Sequence, residues 1–133
     1  MASTSIEQAL DVKLRAYGTG SWLATLTGGL HAYSAPDGAV EPYAFYNVIS
    51  DPTEEESFEL TDTGTARVQF DFICATKGGK SIALAARKIL NHLAPWTDGV
   101  SVISIVCDGV RDIELSDSGW QFQFDAMVEY ARA

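Results

Sequence analysis

Two stretches of the chain alternate between apolar and polar side chains, a period typical of β-strands with one buried face. The apolar positions are Val68, Phe70, Phe72 and Cys74 in residues 67–74, and Trp120, Phe122, Phe124, Ala126, Val128 and Tyr130 in residues 120–130. Polar residues occupy most of the positions between them. The pattern predicts a sheet with one apolar and one hydrated face, which favours an antiparallel or mixed sheet with its helices on a single side.

The remaining elements follow from spacing and turn residues. Apolar residues recur at helical spacing in residues 6–16 and 79–93, and residues near 21–26 are compatible with a short helical turn. Strands are predicted at 30–34, 43–50, 66–75, 100–107 and 120–130, the fourth of them near the centre of the sheet because it is almost continuous in Val and Ile. We therefore expect one α+β domain spanning 1–133, in the order α-(α)-β-β-β-α-β-β. It has a mixed, mostly antiparallel sheet of about five strands with two main helices on one face.

Residues 51–66 show neither period and are predicted to form a long acidic loop, longer than most connections and so typical of a functional or mobile segment. Phe58 and Leu60 lie within it and leave open the continuation of a strand. Its acidic residues, with no basic residue among them, are Asp51, Glu54, Glu55, Glu56, Glu59 and Asp62.

The formal charge of the chain is −9, from 18 acidic and 9 basic residues. So acidic a protein is a poor candidate for gripping a phosphate backbone. Four of the basic residues, Lys77, Lys80, Arg87 and Lys88, fall in or just before the second predicted helix. This separation of charge suits contacts between copies of the protein, although a solvated loop and a solvated helix face are the simpler interpretation.

Cysteine and histidine usage argues against a metal site or an oxidising compartment. Cys74 and Cys107 lie in predicted strands, where we expect buried free thiols; a cross-strand disulfide is the alternative. His31 and His92 are far apart and match no ligand spacing, so neither a metal nor another cofactor is expected. The first residues show no secretory signal, and no apolar stretch approaches the ~20 residues that span a bilayer. We expect a protein made in a reducing cytosol.

The segment from Cys74 to Ser81 imitates a phosphate-binding loop, because it follows a strand, opens a helix and ends in Gly-Lys-Ser. The first glycine of that motif is replaced by Cys74, so a tight strand-to-helix turn is the better interpretation. Backbone N–H groups there, together with Lys77 and Lys80, remain able to hold an anion or a neighbour's carboxylate. No arrangement of nucleophile, base and acid is apparent, and no enzymatic activity is expected.

Several short strings accompany this order of elements. They are Ser5-Ile6-Glu7-Gln8-Ala9-Leu10, Trp22-Leu23, Gly29-Leu30-His31-Ala32-Tyr33, Ala35-Pro36, Pro42-Tyr43, Tyr46-Asn47-Val48-Ile49-Ser50, Val68-Gln69-Phe70-Asp71-Phe72 and the Ala85-Ala86 to Leu90 helix. Over nearly the whole chain the arrangement resembles the small tail-terminator, or tail-completion, proteins of long-tailed bacteriophages. The resemblance implies a non-enzymatic virion protein, made in the host bacterial cytoplasm and located in the tail or neck.

Proteins of that family form a hexameric ring at the head-proximal end of the tail tube, where the ring stops tube growth and joins the tail to the head connector. The resemblance thus implies other copies of the chain, the tail tube protein and a head connector or stopper protein as partners, with DNA passing through unbound. Another neck or head–tail joining adaptor is the alternative. A small-molecule or nucleotide-binding domain using the Gly78-Gly79-Lys80-Ser81 turn is a third reading.

The expected assembly surface combines both charged groups with the polar face of the last strand. Its candidate residues are Asp51, Glu54, Glu55, Glu56, Glu59, Asp62, Lys77, Lys80, Arg87, Lys88, Gln121, Gln123 and Asp125. We expect the polar strand faces and the acidic loop to lie at the inner surface or rims of a ring, where carboxylates repel DNA phosphates. The loop is expected to become ordered against the tail tube or the connector.

Overall fold

The computed structural model describes residues 6–17, 25–50, 63–93, 95–98, 100–115 and 119–132. Two α-helices lie in these residues, α1 (Ile6–Tyr17) and α2 (Lys80–Leu93), with a 3-10 turn at Lys77–Gly79. The strands are β1 (Leu30–Ala32), β2 (Tyr43–Ser50), β3 (Thr63–Cys74), β4 (Trp96–Asp98), β5 (Val100–Cys107), β6 (Arg111–Glu114) and β7 (Trp120–Arg132). The predicted α+β class is confirmed.

All seven strands belong to one mixed sheet with the order β1-β2-β3-β7-β5-β4, and β6 pairs with the part of β7 that β5 leaves free. β1 runs parallel to β2, and every other pairing is antiparallel. The long β7 is central: it pairs with β3 along almost its whole length, Phe70 lying opposite Phe124. β3 and β5 therefore run parallel to each other with β7 between them, connected through α2.

The apolar face predicted from the alternating segments is the core of the protein. Val68, Phe70 and Phe72 of β3 are fully buried, as are Phe122 and Phe124 of β7. The aromatic rings stack across the two strands, with 5.4 Å between the ring centroids of Phe70 and Phe124. Both helices cover this face: Ile6, Leu10 and Leu14 of α1 and Ala83, Ala86, Leu90 and Leu93 of α2 join the same cluster.

Helix α1 reaches strands at opposite ends of the sheet. The Arg15 guanidinium donates a hydrogen bond to the Leu30 carbonyl of β1, at 2.8 Å. On the other side the ammonium group of Lys13 lies 5.5 Å from the ring centroid of Trp96 in β4. Because β1 and β4 end the strand order, one helix contacts both only if the sheet curls around it. The curl keeps the helices on the inside and leaves the opposite surface, the outer face, free of helices.

The strands differ from the sequence prediction in number and in several of their limits. β4 and β6 were missed, since strands of three and four residues carry too little period to detect. β3 begins at Thr63, so residues 63–66 belong to a strand and not to the predicted loop 51–66. β1 ends at Ala32 and not at 34.

The prediction for 100–107 holds in position, because β5 is an interior strand between β7 and β4. The continuous run of apolar residues in β5 does not, however, arise from burial of the whole strand. The pairing of β5 with β7 shifts register between Val102 and Ser104, and both Ile103 and Val106 are exposed on the surface. The continuous apolar sequence therefore combines a buried face with an exposed apolar one.

Candidate assembly surface

A network of polar side chains covers the centre of the outer face. Its middle is Asp71 of β3, whose carboxylate is only 1% exposed. One oxygen, Oδ1, accepts hydrogen bonds from the side-chain amides of Gln121 at 2.7 Å and Gln123 at 2.8 Å. The other, Oδ2, accepts one from Gln69 at 3.1 Å. The three amides satisfy the buried carboxylate, which removes the main cost of burying it.

A second buried carboxylate, Asp125, lies on the same face and is held by two arginines. The Arg67 guanidinium contacts Oδ2 through both Nε, at 2.7 Å, and Nη2. The Arg111 guanidinium donates to Oδ1 at 3.2 Å. Asp125 is 3% exposed, so this predicted surface residue is largely withdrawn from solvent and has intrachain partners. Both carboxylate oxygens are therefore engaged by charged donors, Oδ2 by two N–H groups of Arg67 and Oδ1 by Arg111.

Asp108 ties the end of β5 to the same point of β7. Its backbone N–H donates to the Asp125 carbonyl at 2.9 Å, and its Oδ1 accepts from the Asp125 N–H at 2.8 Å. The Arg111 guanidinium also contacts Asp108 Oδ2 and Gln123. Burial lowers the pKa of Arg111, but hydrogen bonds and charge from Asp108 and Asp125 outweigh it and raise the pKa above its usual value. Arg111 therefore stays charged, and the network is rigid and saturated.

Gln121, Gln123 and Asp125 of this network are among the residues predicted for the assembly surface, whereas Asp71, Arg67 and Arg111 are not. The alternation in β3 does place Asp71 outward, so that part of the signal was available. The pairing of Arg67 with Asp125 depends on the strand order, which brings residues 58 positions apart together. A single sequence does not contain that information.

Beside the polar network lies an exposed apolar pair. Val106 of β5 and Met127 of β7 are register partners on the outer face, 63% and 43% exposed. Met127 also pairs in register with Arg67 of β3, so the apolar pair borders the ion pair directly. The outer face thus presents a fixed polar centre with an exposed apolar pair beside it.

The four basic residues predicted for the assembly surface all lie along α2 and the turn before it. The Lys77 ammonium sits 5.4 Å from the ring centroid of Trp120, and Lys80 forms an ion pair with Asp112 at 2.9 Å. Arg87 donates to the backbone carbonyls of Asp108 at 2.5 Å and Cys107 at 3.4 Å, and Lys88 is exposed on the surface. The acidic members of the predicted surface, from Asp51 to Asp62, lie outside the described residues.

The turn that imitates a phosphate-binding loop is packed against the sheet. A side chain at Gly79 would place its Cβ 2.4 Å from the Cys74 sulfur, so glycine is required by close approach. The Ser81 hydroxyl donates to the Gly78 carbonyl at 3.1 Å, and Lys80 is engaged by Asp112. These local contacts explain the Gly-Gly-Lys-Ser string without a ligand.

The two cysteines lie in the core of the described structure. Both cysteines are free and buried, as predicted. Burial raises the pKa of the Cys107 thiol to about 12 and also raises that of Cys74, so both stay protonated and unreactive near neutral pH. In the part of the chain that the structure describes, no group of three or more His, Cys, Asp or Glu residues is placed to hold a metal ion.

Two further features complete the described surface. An open cleft of about 220 Å³ lies between α1 and β4, lined by Val12, Lys13, Ala16, Trp96 and Thr97. Its small, largely apolar lining resembles a packing defect more than a substrate site. Among the described residues, no helix is long and apolar enough to cross a membrane.

The fold is shared with a solved particle structure. A chain in a structure described as the virion of a native gene transfer agent particle superposes with a TM-score of 0.65. The match covers 96% of this chain and 93% of that chain, at 16% sequence identity. At that identity the likeness shows a common fold. No protein-family model and no curated protein sequence matches the chain.

Proposed function

We propose that the protein is a ring-forming structural subunit of a phage-like virion, acting as the tail terminator. The main support is the fold it shares, over almost its full length, with a chain of a gene transfer agent virion. The described surface agrees with that role, because its conspicuous polar groups are saturated by each other and none is poised for chemistry. The exposed apolar pair, Val106 and Met127, is the kind of surface that a contact with another subunit would bury.

In this proposal the ring encloses the path of the DNA. Six copies of a chain with a net charge of −9 carry −54 in total. An excess of negative charge on a ring repels phosphate groups and so prevents DNA from sticking during passage. The polar outer face, with buried Asp71 and Asp125 held by fixed partners, is the surface proposed to lie toward the channel or its rims.

Tube capping tests the tail-terminator role directly. The tail tube protein encoded in the same genome is polymerised with and without this protein, and tube lengths are measured by negative-stain electron microscopy. We expect short tubes that carry a six-fold ring at one end. Tubes that grow equally long in the presence of the protein would refute termination, and binding to the connector without capping would favour the neck-adaptor alternative. Asp37→Lys, a change in an exposed turn, is the matched control and should still cap.

A further inference from the structure

The charges of the chain are segregated into two runs of opposite sign. The acidic segment, residues 51–62, contains six carboxylates and no basic residue. Residues 77–93 contain Lys77, Lys80, Arg87 and Lys88 and no acidic residue. In a protein with twice as many acidic as basic residues, α2 is therefore a locally basic surface.

Among the described residues, most of the cations of α2 and the turn before it have no carboxylate partner. Lys80 is paired with Asp112, while Arg87 contacts only backbone carbonyls among its described partners. Lys77 lies over the Trp120 ring, and Lys88 is exposed. At these three cations the structure shows no ion pair with any described carboxylate. Cations without counter-charges attract an acidic partner, and that attraction weakens with salt.

The same surface also offers an apolar contact. Leu84 points outward from α2 with 47% of its surface exposed, one helical turn after Lys80 and one turn before Lys88. Residues spaced by four lie on the same side of a helix. We call this set, Lys77, Lys80, Leu84, Arg87 and Lys88, the basic stripe. The acidic segment has matching chemistry, since Phe58 and Leu60 lie among its carboxylates.

The length of β3 separates Thr63, the residue that follows the acidic segment, from the start of the basic stripe. The acidic segment is followed in the chain by Thr63, the first residue of β3. Lys77 follows shortly after Cys74, the last residue of β3. Eleven residue steps of an extended strand span about 36 Å. The basic stripe therefore begins at the opposite end of β3 from the residue that follows the acidic segment. Unlike charges set apart on one chain favour head-to-tail contacts between copies, and such contacts close into rings when the rotation permits.

We infer that the acidic segment of one copy binds the basic stripe of the next copy around a ring. The carboxylates engage Lys77, Arg87 and Lys88, and the apolar side chains of the segment cover Leu84. The inference rests on the proposed ring function and names the contact that builds the ring.

A charge-swap experiment in full-length protein tests this contact. One variant carries Lys77→Glu and Lys88→Glu, and the other carries Glu55→Lys and Glu56→Lys. Oligomer mass is measured by light scattering and native mass spectrometry. Each variant alone should lose the ring, with at least a tenfold weaker association than the wild type. An equal mixture should regain it, because both contacts between unlike copies again join opposite charges.

Three results would overturn the inference: wild-type protein that stays monomeric, single variants that still form rings, or a mixture that fails to reassociate. A mixture that fails to reassociate is also the result expected if the acidic segment binds the basic stripe of its own chain. Circular dichroism confirms that the variants are folded, and Asp37→Lys should leave the ring intact. Rings lost in the single variants and regained in the mixture, but unable to cap tubes, would refute the tail-terminator role while leaving the contact intact. Rings that cap tubes and persist in the charge-swap variants would refute the proposed contact while leaving the tail-terminator role intact.

Discussion

Arg67 reaches diagonally across the sheet to Asp125. The register partner of Asp125 on β3 is Gln69, and that of Arg67 on β7 is Met127, so the ion pair crosses one step of the ladder. The Asp125 side chain is 4% exposed, whereas that of Arg67 is 50% exposed. The carboxylate is thus the buried member of the pair, and Arg111 holds its other oxygen.

This asymmetry predicts unequal effects of removing the two partners. Asp125→Ala leaves the Arg67 guanidinium without its counter-charge and Arg111 with Asp108 alone, and should cost about 2–3 kcal/mol of unfolding free energy. Arg67→Ala should cost only about 1 kcal/mol, since Arg111 still neutralises Asp125 and the lost charge was half in solvent. Urea denaturation measures both. Lys80→Ala, which removes a more exposed ion pair with Asp112, is the control and should change stability by less than about 1 kcal/mol. Equal losses for Asp125 and Arg67 would contradict the asymmetry.

Asp71 should behave differently from Asp125, because its described partners are neutral amides. In Asp71→Asn the new carbonyl oxygen still accepts from Gln121 and Gln123, and rotation of the Gln69 amide presents an acceptor to the new NH₂ group. We expect a change within about 1 kcal/mol. Asp71→Ala leaves three side-chain amide donors without their acceptor at a buried site and should lower the free energy of unfolding by about 2–3 kcal/mol. Urea denaturation of both variants checks this; an asparagine variant as unstable as the alanine one would mean that the negative charge itself is required.

Gly79 and Gly78 form a matched pair for testing the packed turn. A Cβ at Gly79 would lie 2.4 Å from the sulfur and 2.5 Å from the Cβ of Cys74, while at Gly78 the nearest atom is 3.6 Å away. Gly79→Ala should therefore lose about 1–3 kcal/mol through overpacking. Gly78→Ala should stay within about 0.5 kcal/mol of the wild type. Thermal unfolding followed by circular dichroism distinguishes the two, and similar melting temperatures would show that the turn moves freely.

Burial of Cys107 predicts a loss of stability at high pH. The pKa of its thiol is raised from 9.0 to about 12, mainly by burial, so the folded state favours the protonated form. The contribution is fully present below pH 9 and is lost as the pH rises from 9 toward 12, by up to about 1.4 kcal/mol per pH unit. Cys107→Ala should lack this component. Unfolding free energies of both proteins, compared between pH 7 and 10.5, test the prediction; a constant difference would contradict it.

The periodic parts of the fold were predictable from sequence because the spacing of apolar residues in each element shows which of its faces is buried. The alternation of 120–130 and the helical spacing of 79–93 gave β7 and α2 nearly at their observed limits. The pairing of the strands was not predictable, since the register that brings Arg67 to Asp125 is set by strand order. β4 and β6 were not predicted because strands this short are stabilised mainly by pairing with longer neighbouring strands. Asp71 was overlooked since an outward carboxylate is normally solvated, and here glutamines from two strands cover it.

The central position of β7 has a consequence for biosynthesis. β3, β5 and β6 all take hydrogen bonds from this strand, yet it is the last of the described elements to leave the ribosome. Until it emerges, the earlier strands have no common neighbour and the aromatic core has half its rings. The domain must therefore complete its folding after translation of residues 120–132, and until then its nascent chain exposes the apolar strand faces that β7 later covers.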